Sequence, residues 1–348
     1  MVRIAAALFV CMPVFLVHVC AQDGTPVPAP ELKKLEPLVG NWSGSGKMTE
    51  PGNVTSEWTA RGSYRWCMDG HFLREDFTIE FKGVEGAFTF IGYLGWDREN
   101  KRYVNLNANN GGQVQMHEMK LLPDGSVLQL MLQNQQGMPY AERSLFKVTG
   151  DTMTHTIDML MPEGPSLTLI DGRFTRGGDP VVVDGSGPPW MAAKQHESMA
   201  KLCRSAGVYE VKGEMVMAPG APTMKIGGTD TFRSVFGGTV FVGTTDGAAE
   251  GMPGKYVGEI LYGHDPVRNC IVGVYADNFG QLMTMESRWS DDGRLVGISS
   301  GLFQGQPMVQ RSVIAFDTAG ATTSASSHTI TGTAAPLESF RATYTKKK

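Results

Sequence analysis

Cysteine is scarce in this chain of 348 residues, which contains only five. Cys11 and Cys20 fall in the N-terminal stretch, which leaves Cys67, Cys203 and Cys270. An odd and sparse set cannot build a disulfide framework in a chain this long, and none of the three belongs to a Cys-x-x-Cys pair of the kind that holds zinc. The sequence therefore excludes a disulfide-stapled fold and a cysteine metal site. It leaves open whether two of the three pair.

A block of positive charge is also missing. The chain has 31 Lys and Arg against 35 Asp and Glu, a net charge of −4, and the basic residues are scattered. Proteins that bind nucleic acids neutralise many phosphates with clustered Lys and Arg. We therefore predict no nucleic-acid partner.

Common catalytic and metal-binding motifs are lacking as well. No two histidines lie within five residues of each other, which excludes His-Glu-x-x-His and related metal patterns. No phosphate-binding loop is present, and no Gly-x-Gly-x-x-Gly opens a helix. We expect no metal site, and whether the protein is an enzyme stays open, with a non-enzymatic role favoured.

The chain has only one long apolar run, within residues 1–21. A basic residue, Arg3, precedes it, and Val19-Cys20-Ala21 ends it with small residues at the positions that signal peptidase reads. We predict a signal peptide cleaved after Ala21, export to the periplasm or the extracellular space, and no integral membrane segment afterwards. The alternatives are a single membrane anchor and lipoprotein processing at Cys20.

The remaining sequence is a tandem duplication of one unit. An offset of 168 residues aligns many identical residues in the same order, over more than a hundred positions. The aligned pairs include Gly95 with Gly263, Asn110 with Asn278, Glu118 with Glu286, and Arg143 with Arg311. We place the two copies at 31–176 and 193–345, with a Gly/Pro-rich linker at 177–192.

Each copy predicts short antiparallel strands after a short helix. Apolar residues at helical spacing follow Pro30, and a second helical stretch covers Met191 to Ser205. Apolar and polar residues then alternate in segments such as 72–81 and 153–161, with turn residues between them. The predicted fold is all-β: two tandem antiparallel β-barrels, each preceded by a short N-terminal helix.

The segment Leu35-x-x-Leu38-x-Gly40-x-Trp42-x-Gly44-x-Gly46 resembles the opening of lipocalin-like and nitrobindin-like barrels. The whole chain further resembles a bacterial exported domain family of unknown function, number fifteen-seventy-nine. Its pattern lies in four segments of the second copy: 213–220, 231–238, 263–266 and 340–346. This resemblance implies a tandem of lipocalin-like barrels, and the family carries no assigned activity.

The lipocalin-like resemblance also implies how each barrel closes. It implies that Trp42 of the first strand packs under Arg173 of the last strand in a cation–π contact. In the second copy Tyr209 replaces the tryptophan, and Arg341 takes the place of Arg173. The role implied for both pairs is structural.

Two histidines are candidates for a site. His155 and His328 each begin a His-Thr-Ile segment late in their copies, and His155 shares a predicted inward face with Met153 and Met159. A buried imidazole there either contacts a ligand or is a core residue bonded to a polar neighbour. Because nitrobindin-like barrels bind haem through one histidine, the resemblance implies haem as the one cofactor to consider; otherwise no cofactor is expected.

A polar set kept in both copies has two interpretations. Glu118 and Arg143, with their counterparts Glu286 and Arg311, either orient a ligand inside the barrels or form cross-strand ion pairs on the outer face.

These patterns favour an exported, non-enzymatic protein that binds a small apolar molecule in one or both barrels. One alternative is a haem-binding or enzymatic barrel that uses His155 and His328. The other is a structural or interaction module whose barrels are filled by their own side chains.

Overall fold

The structure is a computed structural model. It describes residues 27–50, 54–135, 138–160, 166–181, 194–216, 220–252, 254–303 and 306–348, together with Val183, Gly187 and Ala218. The predicted signal peptide lies outside the described residues, as does most of the predicted linker.

Contacts divide the chain into two compact units, one built mainly on residues 29–193 and the other mainly on residues 194–348. The strands of the first unit are β1 Gly40–Glu50, β2 Val54–Cys67, β3 Phe72–Phe81, β4 Ala87–Asp97, β5 Arg102–Asn109, β6 Val114–Leu121, β7 Val127–Gln135, β8 Met138–Thr149, β9 Thr152–Leu160 and β10 Leu167–Arg176. Those of the second are β11 Gly207–Met215, β12 Met224–Val235, β13 Val240–Ala249, β14 Tyr256–Asp265, β15 Cys270–Asp277, β16 Leu282–Trp289, β17 Leu295–Phe303, β18 Gln306–Phe316, β19 Thr322–Thr331 and β20 Leu337–Lys346.

Each unit is a closed, ten-stranded antiparallel barrel in which every strand pairs with the next one along the chain. The sheets close where the first strand meets the last: β1 pairs with β10, and β11 pairs with β20. Closure leaves no unpaired sheet edge that another chain can extend. The prediction of an all-β fold with two tandem antiparallel barrels is confirmed.

Helical segments precede both barrels, but they differ in kind. A 3-10 helix, Pro30–Leu38, comes before β1 and buries three leucines, Leu32, Leu35 and Leu38. An α-helix, Glu197–Cys203, comes before β11 and buries Met199 and Leu202.

The two barrels share unusual local geometry, which supports the duplication. Met68 and Phe236, 168 residues apart, both have a left-handed backbone, with φ of 49° and 52°. Asn110 is buried, and its side chain bonds to the backbone nitrogen of Thr89 and the carbonyl of Ala87. Asn278 makes the same two bonds to Val257 and Lys255. These asparagines fasten a loop to the start of β4 and of β14.

Barrel closure involves a different arginine from the one predicted. The guanidinium over the Trp42 ring belongs to Arg176, whose Cζ lies 4.4 Å from the ring centroid, and Arg173 is exposed. Because side chains alternate along a strand, residues three apart face opposite sides of the sheet. Arg176 also donates to the carbonyls of Pro37 and Val39, which ties the 3-10 helix to the barrel.

The prediction for the second barrel, that Arg341 lies over Tyr209, is wrong in the same way. Lys346 lies directly opposite Tyr209 in the sheet, with its Nζ 5.7 Å from the ring centroid. Arg341 faces outward and pairs with Glu338.

Cys67, Cys203 and Cys270 are free thiols. Within the described ranges, no helix is both long enough and apolar enough to cross a membrane. The same ranges contain no cluster of three or more metal-ligating side chains.

Replacing Arg176 with alanine removes the cation–π contact and two hydrogen bonds to backbone carbonyls. We expect Arg176→Ala to lower the free energy of unfolding by about 1–3 kcal/mol. Urea unfolding followed by tryptophan fluorescence measures this, since Trp42, Trp58, Trp66 and Trp96 all lie in the first barrel. Arg173→Ala is the control, with an expected change within about 0.5 kcal/mol. A larger loss of unfolding free energy in Arg173→Ala than in Arg176→Ala would instead support the predicted contact between Trp42 and Arg173.

Candidate functional site

The inner face of the first barrel carries a polar wall. Alternation along β5, β6, β8 and β9 turns Asn107, His117, Glu142 and His155 inward. All four remain partly exposed, as does Ile157 next to His155 on the same face. Side chains that face the interior of a closed barrel keep exposure only where that interior is not filled. Solvent therefore reaches this part of the first barrel.

An aromatic wall faces the same interior from β2, β3, β4 and β10. Phe77 stacks on Phe90 with ring centroids 5.3 Å apart and meets Phe174 edge-on at 6.2 Å. Trp58 lies 5.7 Å from Phe174, over two glycines at which a Cβ atom would collide with the indole, Gly46 and Gly172. The indole nitrogen of Trp58 is buried and has no hydrogen-bond partner among the described residues. The two walls together define what we call the chamber.

In the second barrel, the positions that correspond to the chamber-lining residues of the first carry buried side chains. Strand pairing matches Asn107 with Tyr275, Glu142 with Gln310, and Ile170 with Phe340. The sequence offset matches His117 with Met285. Tyr275, Met285, Gln310 and Phe340 are each no more than 3% exposed.

The second barrel does retain a small cavity. Among the described residues, its space for the centre of a water molecule is about 20 Å³, lined by small and apolar residues of β11–β14 around Asp230. This is room for one or two water molecules and far below the volume of a typical ligand pocket.

Glu75 is a buried carboxyl group at the edge of the chamber. It is 4% exposed and accepts a hydrogen bond of 2.8 Å from the side-chain nitrogen of Asn105. Gly92 opposite makes room for it, since a Cβ there would lie 2.4 Å from the Glu75 oxygen. Burial raises the pKa of Glu75 to about 7, against the opposing effect of the Asn105 bond. The other side-chain atom of that amide, Asn105 Oδ1, is buried and has no partner among the described residues.

Glu142 and His117 lose much of their hydration inside the barrel, and no polar contact with another described side chain replaces it. Neither side chain has a hydrogen bond or ion pair with the described residues. Burial alone raises the pKa of Glu142 to about 7 and lowers that of His117 to about 4. Polar groups with so little hydration are normally paired.

His155 lies deep in the first barrel. Its Nε2 is 2.8 Å from the hydroxyl of Ser144, and its ring meets Phe146 edge-on. Burial lowers the pKa of His155 to about 4, so the imidazole is neutral. Met153 and Met159 are buried on the same strand, 3% exposed each.

His328 does not lie inside the second barrel. Its side chain is exposed, on the outer face opposite Arg311. The position that matches His155 belongs to Ala325, which pairs with Ala342 as His155 pairs with Gly172. The shared His-Thr-Ile letters are therefore a coincidence of local sequence, and the prediction of a paired interior site is wrong.

The polar set kept in both copies also faces outward. Glu118 forms an ion pair with Arg102 at 2.9 Å, and Glu286 forms the corresponding pair with Arg268 at 3.0 Å. Arg143 pairs with Asp158 on the neighbouring strand and not with Glu118. Glu118, Glu286, Arg143 and Arg311 are all exposed, so none of them orients a ligand inside a barrel.

The second barrel contains a sequence match to a hydrolase motif that does not have the structure of that motif. Residues 297–301, Gly-Ile-Ser-Ser-Gly, match the letters of the hydrolase motif Gly-x-Ser-x-Gly. They lie within β17, and Ser299 is buried. The hydrolase motif requires a sharp strand-to-helix turn that exposes its serine, which a continuous strand does not supply.

Sequence reasoning missed the main polar groups of the chamber. Glu75 occupies the inward, otherwise apolar series of β3 between Leu73 and Phe77. His117 stands two residues before the buried Met119 on β6. A charged or titratable residue in the apolar series of a strand was the available signal.

The family described as "Protein of unknown function (DUF1579)" matches residues 27–176 and again residues 192–346. The chain belongs to this family. The two tandem matches confirm the resemblance and the internal duplication seen in the sequence. No curated protein shows significant sequence similarity to the chain.

The solved structures that the chain matches are distant from it. Rv2717c from M. tuberculosis is 16% identical, with a TM-score of 0.34, over 44% of this chain and all of that one. An S-type phycobiliprotein lyase, CPES from Guillardia theta, is 14% identical, with a TM-score of 0.32, over 42% of this chain and 92% of that one. A DUF3598 protein of unknown function from Nostoc punctiforme is 11% identical, with a TM-score of 0.27, over 92% of this chain and all of that one. These similarities assign no function to this chain.

The buried carboxyl of Glu142 predicts a pH-dependent cost. Its pKa is about 7 in the folded barrel and near 4.5 in the unfolded chain. Below about pH 4.5 both states hold the proton, and as the pH rises through 7 the folded state loses stability. We expect Glu142→Gln to raise the free energy of unfolding by about 1–2 kcal/mol at pH 8, after allowance for partial exposure, and to change little at pH 4.

Urea unfolding at both pH values measures this difference. Glu118→Gln is the matched control, because that exposed carboxylate pairs with Arg102 and contributes at most about 0.5 kcal/mol. Equal stability of wild type and Glu142→Gln at pH 8 would show that Glu142 is not desolvated.

Proposed function

We propose that this protein binds a small amphipathic molecule inside its first barrel and catalyses no reaction on it. The observation that carries the proposal is the partial exposure of inward-facing side chains in the first barrel, at positions whose counterparts in the second are larger or fully buried. A ligand site is concave, mostly apolar and equipped with a few convergent polar groups. The aromatic wall and the polar wall together meet that description.

The two walls of the chamber favour an amphipathic ligand over the purely apolar one that the sequence predicts. A purely apolar molecule would leave Glu142 and His117 without partners in a dry site, which costs free energy. A molecule with an apolar body along Phe77 and Phe90 and a polar end near Glu142 satisfies both walls. In this proposal the first barrel is the binding barrel, and the filled second barrel has a structural role.

The contact between Ser144 and His155 does not amount to a catalytic site. A nucleophilic serine needs a base that a third group orients, and donors that receive the developing oxyanion. No carboxylate lies near the His155 ring among the described residues, and burial is the one cause of its lowered pKa. Ser144 lies in the middle of β8, paired on both sides with β7 and β9, where backbone amides bond within the sheet.

The site of action is part of the proposal. The apolar run and the small residues before Gln22 support export, and the protein would then meet its ligand in the periplasm or outside the cell.

Binding is tested with Nile red, a neutral dye whose emission rises in apolar surroundings. We expect the protein without its signal peptide to take up about one dye per chain. The triple variant Asn107→Tyr, His117→Met and Ile170→Phe places the residues of the second barrel into the first, and we expect it to abolish uptake because the chamber is then filled.

Far-UV circular dichroism establishes that the triple variant folds, and the single variant His117→Met gives an intermediate case. Glu118→Gln, on the outer face, is expected to bind dye as the wild type does. Undiminished uptake by the folded triple variant would contradict the first barrel as the site.

Haem does not fit the residues present. The Nε2 that would ligate iron is bonded to the Ser144 hydroxyl, Phe146 packs against the ring, and the second candidate, His328, is on the outer face. We expect addition of haemin to give the same spectrum with wild type and with His155→Ala. A shifted Soret band that His155→Ala abolishes would show that haem binds through His155.

A further inference from the structure

The charges inside the chamber are unbalanced. Glu75 and Glu142 both face inward in the first barrel. Among its described inner-face residues the one cation is Arg176, which lies over Trp42 at the end closed by the 3-10 helix. The other Lys and Arg residues of β1–β10 fall on the alternate positions and face outward. A carboxylate in such a site lacks the counter-charge that buried charges ordinarily have.

The unpartnered polar atoms are mostly acceptors. Glu142 offers carboxyl oxygens, and Asn105 Oδ1 is buried without a partner among the described residues. His117 is neutral, so one of its ring nitrogens accepts a hydrogen bond. A primary ammonium group carries three N–H donors and a positive charge, which complements an unpartnered carboxyl group such as that of Glu142.

The aromatic wall suits the same ligand. Trp58, Phe77, Phe90 and Phe174 form a continuous series of ring contacts. Aromatic faces attract cations and pack against apolar chains and rings. Glu142 lies between Met131 and Met159 in the sheet, and methionine side chains adapt to ligands of varied shape.

We propose that the chamber of the first barrel binds an organic primary amine, with its ammonium group at Glu142 and its apolar body along the aromatic wall. This inference rests on the proposed function, because it names the ligand class of the same site. The second barrel has no equivalent: Gln310 stands at the position of Glu142, Gly243 at that of Glu75 and Met285 at that of His117. One amine therefore binds per chain.

Three compounds with one body and different ends test the ligand class. Isothermal titration at pH 8 compares 4-phenylbutylamine, 4-phenylbutanol and 4-phenylbutyrate. We expect the amine to bind at least about tenfold more tightly than the alcohol, and the carboxylate most weakly, because one charge-assisted hydrogen bond changes affinity by this order. The amine's affinity should also rise between pH 6 and pH 8 as Glu142 ionises, while the alcohol's stays constant.

The decisive variant is Glu142→Gln, which keeps the shape of the side chain and removes its charge. We expect it to reduce the amine's affinity to about that of the alcohol and to leave the alcohol's affinity unchanged. Glu118→Gln, which removes an outward-facing carboxylate, is the control and should bind all three compounds as the wild type does.

The outcomes separate the two proposals. If the alcohol binds as tightly as the amine, or if Glu142→Gln binds the amine undiminished, the amine class is wrong while the chamber stands as a binding site. If no compound binds and Nile red is not taken up, both the ligand class and the proposed function are overturned.

Discussion

Closure of the sheet decides what each barrel must enclose. A ten-stranded barrel turns every second side chain inward, and the enclosed space must hold those side chains or something else. The second barrel takes the first solution, with Tyr275, Met285 and Phe340 occupying the space. The first barrel places Asn107, His117 and Ile170 at the same positions and leaves its interior partly open. One fold thus gives a packed core in one copy and a chamber in the other.

Duplication explains why the two barrels share several contacts outside their interiors. The asparagine bonds of Asn110 and Asn278, and the ion pairs of Glu118 and Glu286, recur at matching positions. These interactions hold loops and neighbouring strands in register, which both barrels need whatever they enclose. Inner positions carry no such shared demand, since a filled core and a ligand chamber require different side chains. Differences at the inner positions therefore give the two barrels different interiors.

Sequence periodicity predicts the architecture because a two-residue repeat and regular turns are local properties of a strand. It predicts register poorly. The resemblance to lipocalin-like barrels placed Arg173 over Trp42, whereas strand pairing puts Arg176 directly opposite that ring. The prediction for His328 is wrong for a related reason. Its three-residue match with His155 implies an offset of 328 − 155 = 173 residues, whereas strand pairing gives 325 − 155 = 170 and assigns the interior position to Ala325. Identity of letters between copies shows which residues are shared, and only the sheet shows which of them face each other.

Burial of carboxyl groups links the stability of the first barrel to its chemistry. A folded chain does not gain stability from Glu142 near neutral pH, because burial without a partner disfavours the ionised form. Glutamine at the matching position of the second barrel, Gln310, is 1% exposed and carries no such charge. A residue that costs stability in one copy and is replaced by its neutral isostere in the other is typical of a binding site, where the ligand supplies the missing interaction. The same reasoning makes Glu75 less informative, since Asn105 already donates to it. The unpaired carboxyl group, rather than the histidines, is therefore the feature of the first barrel on which the proposed ligand class depends most directly.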